Sequence, residues 1–329
     1  MRILVTGAAG FIGSQVAEAF AAAGHRAVGI DDLSSGCRRD LEGLQAFVEM
    51  DVRSPDLSHV FREHRPEVVC HLAAQVDVRA SVADPSYDAS INVVGSLNLL
   101  ECCVRAGVRG VLFASSGGVV YGEQNYFPAD EDHPLRPACP YGVAKVAVEE
   151  YLGYYWRAYG LPSLSLRLAN VYGPHQRPQG GVGVVAILLG KLLRGEVPTL
   201  HGDGGQTRDF VFVDDVVAGH LRAAEVLATG RLGDPPLAIN MGAGRETSIR
   251  EIANRLCAMV GSFPGLTYGP AKPGEQRRSV LDTRRARTVL GWQATTGLEE
   301  GLARTLHWMR DSLSAPDGEA SRACQTCCI

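Results

Sequence analysis

The sequence predicts an α/β protein with a doubly wound parallel sheet, followed by a smaller C-terminal α/β lobe. Three observations carry this. A β-rich run, Arg2 to Thr6, enters a glycine turn and then an alanine-rich helical stretch to Ala23. Strand-like and helix-like segments then alternate, which is the pattern of parallel sheets with crossover helices. Small and acidic residues stand at the ends of the predicted strands, where open parallel sheets bind ligands.

The glycine turn is Gly7-Ala-Ala-Gly10-Phe11-Ile12-Gly13. Gly7 permits the tight turn, Gly10 lets backbone approach a pyrophosphate, and Gly13 lets helix pack on strand. The second strand, Arg26 to Ile30, ends in Asp31-Asp32. An acid there accepts hydrogen bonds from ribose hydroxyls and repels a 2′-phosphate, so NAD is expected rather than NADP. A third strand, Gln45 to Met50, ends at Asp51-Val52, a candidate adenine contact. The fourth, Val68 to Leu72, runs into Ala73-Ala74-Gln75. Pro85 to Ala106 reads as one long helix carrying Asn92, and Gly110 to Ala114 as a fifth strand leading into Ser115-Ser116-Gly117-Gly118.

Tyr141 and Lys145 are four residues apart, so they share one face of a predicted helix, Tyr141 to Ala158. An ammonium beside a phenol favours the phenolate. Such a tyrosine can take a proton from a substrate hydroxyl while a cofactor takes the hydride.

The second half predicts a strand at Leu164, a helix over Val182 to Leu193, a short strand over Pro198 to Gly202 and another from Gln206 to Val213. Asp214 and Asp215 are expected to cap the next helix, and Thr247 to cap one running to about Val260. Helices are also expected over Asp282 to Leu290 and Leu298 to Ser312, with a frayed tail from 315 to 329.

Composition narrows the function. Of 329 residues, 46% are hydrophobic and 21% charged, as in globular proteins. A formal charge of −4 gives no basic field for nucleic acid. The longest apolar run is too short to span a bilayer and contains Lys191. The nine cysteines read as reduced residues of a cytoplasmic protein. Cys324 and Cys327 lie in the tail with Cys328, too few ligands for a closed zinc site in one chain, so no metal is expected.

The order of these motifs resembles the extended short-chain dehydrogenase/reductase family, whose NAD-binding Rossmann domain would occupy residues 1–170. Arg167-Leu-Ala-Asn170-Val-Tyr-Gly-Pro, Gly202-Asp-Gly-Gly-Gln-Thr-Arg208-Asp-Phe-Val and Lys272-Pro-Gly-Glu275 are similar to its nucleotide-sugar branch, most closely the UDP-sugar 4-epimerases. The substrate-binding lobe would be mainly 171–314. The resemblance implies that Ser35, Gly36, Leu72, Gln75, Asn92 and Ser115 join the cofactor set. It also implies that Tyr141, Lys145 and Ser116 form the catalytic set. Arg208 and Lys272 would hold the diphosphate with Asn170, while Val185 and His201 flank the uracil. Glu275 and Ser279 would border the sugar. A salt bridge from Arg208 to Asp209 or Asp214 is the plain alternative for that arginine, and a strand-end histidine for His201. Tyrosine at the position of Ser279 crowds out 2-acetamido sugars in that family, and serine leaves room. The family's usual Ser or Thr falls on Gly117, and Ser116 is the replacement candidate. A homodimer through the Pro85–Ala106 and Tyr141–Ala158 helices is also implied.

Overall fold

The computed structural model describes residues 1–36, 41, 43–178, 182–230, 237–261, 265–271 and 276–314. Strands β1 (Arg2–Thr6), β2 (Arg26–Asp31), β3 (Ala46–Glu49), β4 (Val68–His71), β5 (Gly110–Ser116) and β6 (Ser163–Leu168) join a later strand, Leu237–Met241, in one sheet. The order is Leu237–Met241, β6, β5, β4, β1, β2, β3, and every pair is parallel. β1 is flanked by β2 on one side and β4 on the other. Successive connections therefore leave β1 toward opposite edges, and a crevice opens at its carboxyl end.

Helices α1 (Phe11–Ala22), α2 (Leu57–His64), α3 (Val78–Ala83) and α4 (Pro85–Ala89) precede α5 (Ser96–Ala106) and α6 (Pro140–Tyr159). Between α4 and α5 the chain stays helical but widens to a π-turn over Ser90–Gly95. The long helix expected over Pro85 to Ala106 is thus one helix with a widened turn at Asn92. The two faces of the sheet close on separate cores. Ile3, Val5, Phe20 and Leu112 lie in one; Leu4, Val28, Leu99 and Val111 lie in the other. Alternate residues of β1 go to opposite cores, as a two-sided buried strand requires.

After β6 the chain builds the second part. It contains β7 (Asn170–Tyr172), α7 (Val184–Leu193), β8 (Thr199–His201), β9 (Thr207–Phe212) and α8 (Val213–Thr229). Then come β10, the seventh sheet strand, β11 (Glu246–Ser248), α9 (Ile249–Val260), β12 (Thr267–Gly269), α10 (Arg284–Leu290) and α11 (Leu298–Ser314). Two small sheets, β11-β9-β7 and β12-β8, hold this part around Tyr172, Leu189, Phe212 and Leu256.

Two expected caps are corrected. Ser248, not Thr247, caps α9, accepting a hydrogen bond from Glu251 N at 3.1 Å; Thr247 is buried inside β11. Asp214 and Asp215 lie in the first turn of α8, but Asp215 accepts from Thr295 N, Thr295 Oγ1 and Thr296 N, and Asp214 pairs with Arg304. Both aspartates serve tertiary contacts that local spacing could not show. The tail from 315 lies outside the described residues.

A buried ion pair ties α6 to β6. Arg167, 4% exposed, meets Glu149 at 2.6 Å and also donates to the Tyr121 hydroxyl at 2.9 Å. Removing one partner strands the other charge away from water. Arg167→Met is expected to cost about 3–5 kcal/mol, read from the urea midpoint; a loss under about 1 kcal/mol would mean that Glu149 is not charged there. A second constraint is steric. A Cβ on Gly13 would stand 2.0 Å from Gly7 O, so α1 can lie against the turn only without one. Gly13→Ala is expected to destabilise by about 2–3 kcal/mol in the same assay, because backbone must move.

Candidate active site

The glycine turn forms one wall of the crevice. Gly7 has φ +71°, and a Cβ there would lie 2.7 Å from Ala73 N, so the turn presses directly on the chain leaving β4. Gly10 precedes α1 in an extended conformation and puts no side chain over the helix end. The first amides of α1, including those of Ile12 and Gly13, therefore form an uncapped, positive helix terminus suited to a diphosphate. Asp31 ends β2 with 8% exposure; its oxygens accept from Ala9 N at 2.9 Å and Leu33 N at 2.8 Å. Burial pushes its carboxyl pKa up, against those two backbone bonds. Each oxygen retains a second acceptor direction, enough for a ribose diol. Asp32 accepts from Ser34 N and Oγ, and Gly36 lies against Ala9 of the glycine turn. These features fit an adenine dinucleotide, and among the described residues no cation bonds to Asp31.

Asp51 is turned mainly to Arg53, which donates to it at 3.0 Å and holds its carboxyl below the usual range. Val52 is buried under Gly95 of the π-turn. Beyond Leu72 and Ala73, the Ala74–Gln75 segment is pinned to the π-turn: Asn92 Oδ1 accepts from Gln75 N at 2.9 Å, and Asn92 Nδ2 donates to Gln75 O at 2.9 Å. His71 continues the link. Its Nδ1 is 2.7 Å from Thr6 Oγ1 and its Nε2 2.9 Å from Ser96 Oγ, while Ser96 donates to Asn92 O. Since the Ser96 proton is used on Asn92 O, Ser96 accepts from Nε2–H, and His71 is neutral. Burial, then the Lys145 charge, pushes His71 down to about 3.

Tyr141 and Lys145 come from the first turns of α6. Cys139 is extended and Pro140 opens the helix, which sets both side chains toward the end of β5. Lys145 is 3% exposed; its Nζ donates to Ala114 O at 2.8 Å and lies 5.5 Å from the Tyr141 ring centre. The Ser116 hydroxyl acts on the Tyr141 phenol and opposes its upward shift. Ser116, Tyr141 and Lys145 are therefore brought together. Burial pushes Lys145 down to about 8, with Asp88 and Glu149 opposing. Burial also holds the Tyr141 phenol above its ordinary value, with Cys139 and Asp88 adding and Ser116 opposing. This corrects the expectation that the nearby ammonium simply lowers the phenol. Desolvation of the phenolate outweighs it at this half-buried position.

Gly117 faces elsewhere. A Cβ there would stand 2.5 Å from Leu281 Cδ1. The segment carrying Leu281 is clipped over this turn: Val280 N donates to Gln124 Oε1, Ala129 N donates to Val280 O, and Leu281 N donates to Asp209. This seats Ser279, 2% exposed, inside the closure. Asp209 also accepts from Ala243 N and Gly244 N, and burial pushes its carboxyl up to about 6. Ser115 turns its hydroxyl to Glu149 at 2.5 Å, so that hydroxyl faces the buried ion pair.

Of the remaining candidates, Asn170 opens β7, with its Oδ1 near Gly118. Arg208 donates to Thr207 O and Gln276 O at 2.7 and 2.8 Å, which joins β9 to the closing segment. Val185 lies in the uncapped first turn of α7, and His201 Nδ1 is 3.3 Å from Pro270 O. Lys272 and Glu275 lie outside the described residues. One buried carboxylate was missed from sequence, Asp88. It stands one helical turn before Asn92, a spacing that could have signalled a shared face.

Residues 3–242 match the NAD dependent epimerase/dehydratase family. The chain is 46% identical over 316 residues to a UDP-glucose 4-epimerase of Mycolicibacterium smegmatis, covering 94% of this chain and 99% of that protein. Among solved structures it is similar to a Thermotoga maritima UDP-glucose 4-epimerase with UDP-glucose (TM-score 0.91, 42% identity, 95% of this chain and 100% of that one). It is also similar to a Thermus thermophilus UDP-glucose 4-epimerase in complex with NAD (TM-score 0.86, 39% identity, 94% and 99%). With the helix terminus, Asp31 and the Tyr141–Lys145 pair at one end of a parallel sheet, these similarities establish that the chain belongs to the NAD-dependent epimerase/dehydratase family of extended short-chain dehydrogenases/reductases.

Proposed function

We propose that the protein is a UDP-sugar 4-epimerase that interconverts UDP-glucose and UDP-galactose and also accepts the corresponding 2-acetamido sugars. The observation that carries the reading is the Ser116–Tyr141–Lys145 cluster facing a dinucleotide crevice, with glycines rather than carboxylates at 117 and 118. Elimination of water or carbon dioxide calls for an added acid or base beside the sugar, and that turn offers none. The names and similarity of the relatives support the same reading.

NAD supplies a hydride acceptor that is restored within each turnover. Gly7, Gly10, Phe11, Ile12, Gly13, Asp31 and Asp32 hold its adenosine diphosphate end; Asn92 and the Leu72–Gln75 segment wall its other half. Tyr141 takes the proton of the sugar 4-hydroxyl and later gives one back. Ser116 orients that hydroxyl, and Lys145 stabilises the phenolate as it forms. Arg208, Lys272 and Asn170 bind the diphosphate of the substrate. Val185 and His201 flank the uracil, and Glu275 and Ser279 border the sugar. We assign residues 1–170 mainly to the cofactor and 171–314 mainly to the substrate. Val94, Val143, Tyr151 and Tyr154 are exposed on the π-turn and α6, which supports a homodimer through these helices.

Proton NMR of the purified protein with UDP-galactose, without added NAD, is expected to show new gluco-configured anomeric signals. Tyr141→Phe should lower that rate at least about 100-fold, the scale of general acid–base catalysis, while UDP-sugar binding persists. No turnover even with NAD added would replace the epimerase reading with that of a keto-sugar reductase. A second test concerns Ser279, which is small, buried and pinned by Val280 and Leu281. Ser279→Tyr should cut kcat/KM for UDP-GalNAc about tenfold or more relative to UDP-galactose, since one misfit group in a pocket is worth about 1–3 kcal/mol; equal losses on both would remove Ser279 from the sugar pocket.

A further inference from the structure

Asp88 is 1% exposed and lies in α4, two residues before the π-turn. Its Oδ1 accepts from Gln75 Nε2 at 2.8 Å and from Asn92 Nδ2 at 2.9 Å. Its Oδ2 is fully buried with no hydrogen-bond partner among the described residues. A carboxylate so placed is costly unless a cation compensates it. α4 packs on α6, which carries Lys145; no direct ion pair joins the two side chains, and Lys145 is the cation whose charge acts on Asp88. The two groups act on each other: Asp88 opposes the downward push of burial on Lys145, and Lys145 opposes the upward push of burial on Asp88. Lys145 Nζ uses one donor on Ala114 O. The other charged or titratable groups around Lys145 are Glu149 and Tyr141 on α6 and His71 on β4. Glu149 is committed to Arg167 and Ser115, and His71 is neutral. Asp88 also faces Tyr141 and Cys139. That leaves Asp88, among the described residues, as the carboxylate on which no other cation acts.

We propose that Asp88 is a positioning residue of the Tyr141–Lys145 site: across the packing of α4 on α6 it is the buried counter-charge of the Lys145 ammonium, and its Oδ1 clamps Gln75 and Asn92 at the crevice. One carboxylate thereby couples the charge state of the lysine to the placement of the segment that walls the cofactor. The π-turn serves this arrangement, because it lets Asn92 face Asp88 Oδ1 and Gln75 together. The role matters most at alkaline pH. Lys145 must stay protonated to stabilise the phenolate, and it loses its proton as pH rises through about 8.

The chain has three lysines, 145, 191 and 272, so lysine-labelled protein gives a resolvable side-chain NMR titration, assigned with Lys145→Arg. In Asp88→Asn, which keeps an acceptor and removes the charge, the Lys145 midpoint should fall by about one pH unit, and Asp88→Glu should return it toward the parent value. The alkaline fall in turnover of UDP-galactose should move by the same amount, with the acid limb unchanged. An unmoved Lys145 midpoint, or a rate loss equal at all pH values, overturns the proposal. The 13C carboxyl shift of Asp88 in the unaltered protein tests it even if the variant does not fold: the group must be ionised at pH 7, and a protonated Asp88 overturns the idea. Only the rate measurement rests on the epimerase reading. A moved Lys145 midpoint in a protein that leaves UDP-galactose unchanged would sink that reading and leave this one standing.

Discussion

Charge taken out of water at the carboxyl end of the parallel sheet is the constraint to which the rest of the site answers. Lys145, Asp88, Glu149 and Arg167 are all nearly or fully buried within a few turns of one another. A lone charge there would cost several kcal/mol, so each needs a partner or must neutralise. Arg167 takes Glu149 through a short bridge, with Tyr121 and Ser115 satisfying spare valences. Lys145 is left with a backbone carbonyl and a field from Asp88. His71 resolves the problem the other way and is neutral between two hydroxyls. The result is a lysine poised near its titration point beside a phenol that burial keeps protonated. In the proposed reaction this pair would carry the proton to and from the substrate hydroxyl.

Close backbone approach is the second requirement, and it explains where side chains are missing. The glycine turn presses on Ala73 at the end of β4, and α1 presses on the turn. These contacts bring the uncapped helix terminus, Asp31 and the Gln75–Asn92 clamp around a single crevice. Across it, the segment from Gln276 to Asp282 is held by Gln124, Ala129 and Asp209, and Leu281 fills the space over Gly117. The hydroxyl that meets Tyr141 therefore comes from Ser116, one residue earlier. A side chain at 117 would collide with the closing segment before it could reach the tyrosine.

Much of this was legible in the chain itself. Apolar runs ending in acidic or small residues located the parallel strands, because a strand buried on both faces has no polar face to alternate. The glycine spacing and the four-residue separation of Tyr141 and Lys145 depend only on turn geometry and helical period, so they could be read before any contact was known. Helix caps were less legible. Thr247 and Ser248 are both plausible caps by composition, and Asp215 looks like one until Thr295 and Thr296 arrive from 80 residues away. Local spacing has no information about which donor a carboxylate will meet.

The alternation of strands and helices, the cofactor-type turn and the shared helix face of tyrosine and lysine were determined by sequence, since each follows from periodicity and backbone sterics. Tertiary structure alone decided the electrostatics. Whether a phenol is pulled down by a nearby ammonium or pushed up by burial depends on how much water the fold excludes, and here exclusion wins at Tyr141. The same holds for Asp88. In the sequence it is one acid among many on a surface-like helix, and only packing of α4, α6 and the π-turn removes its solvent and leaves it beside Lys145. Desolvation is a property of the assembled interior, and no stretch of chain carries it by itself.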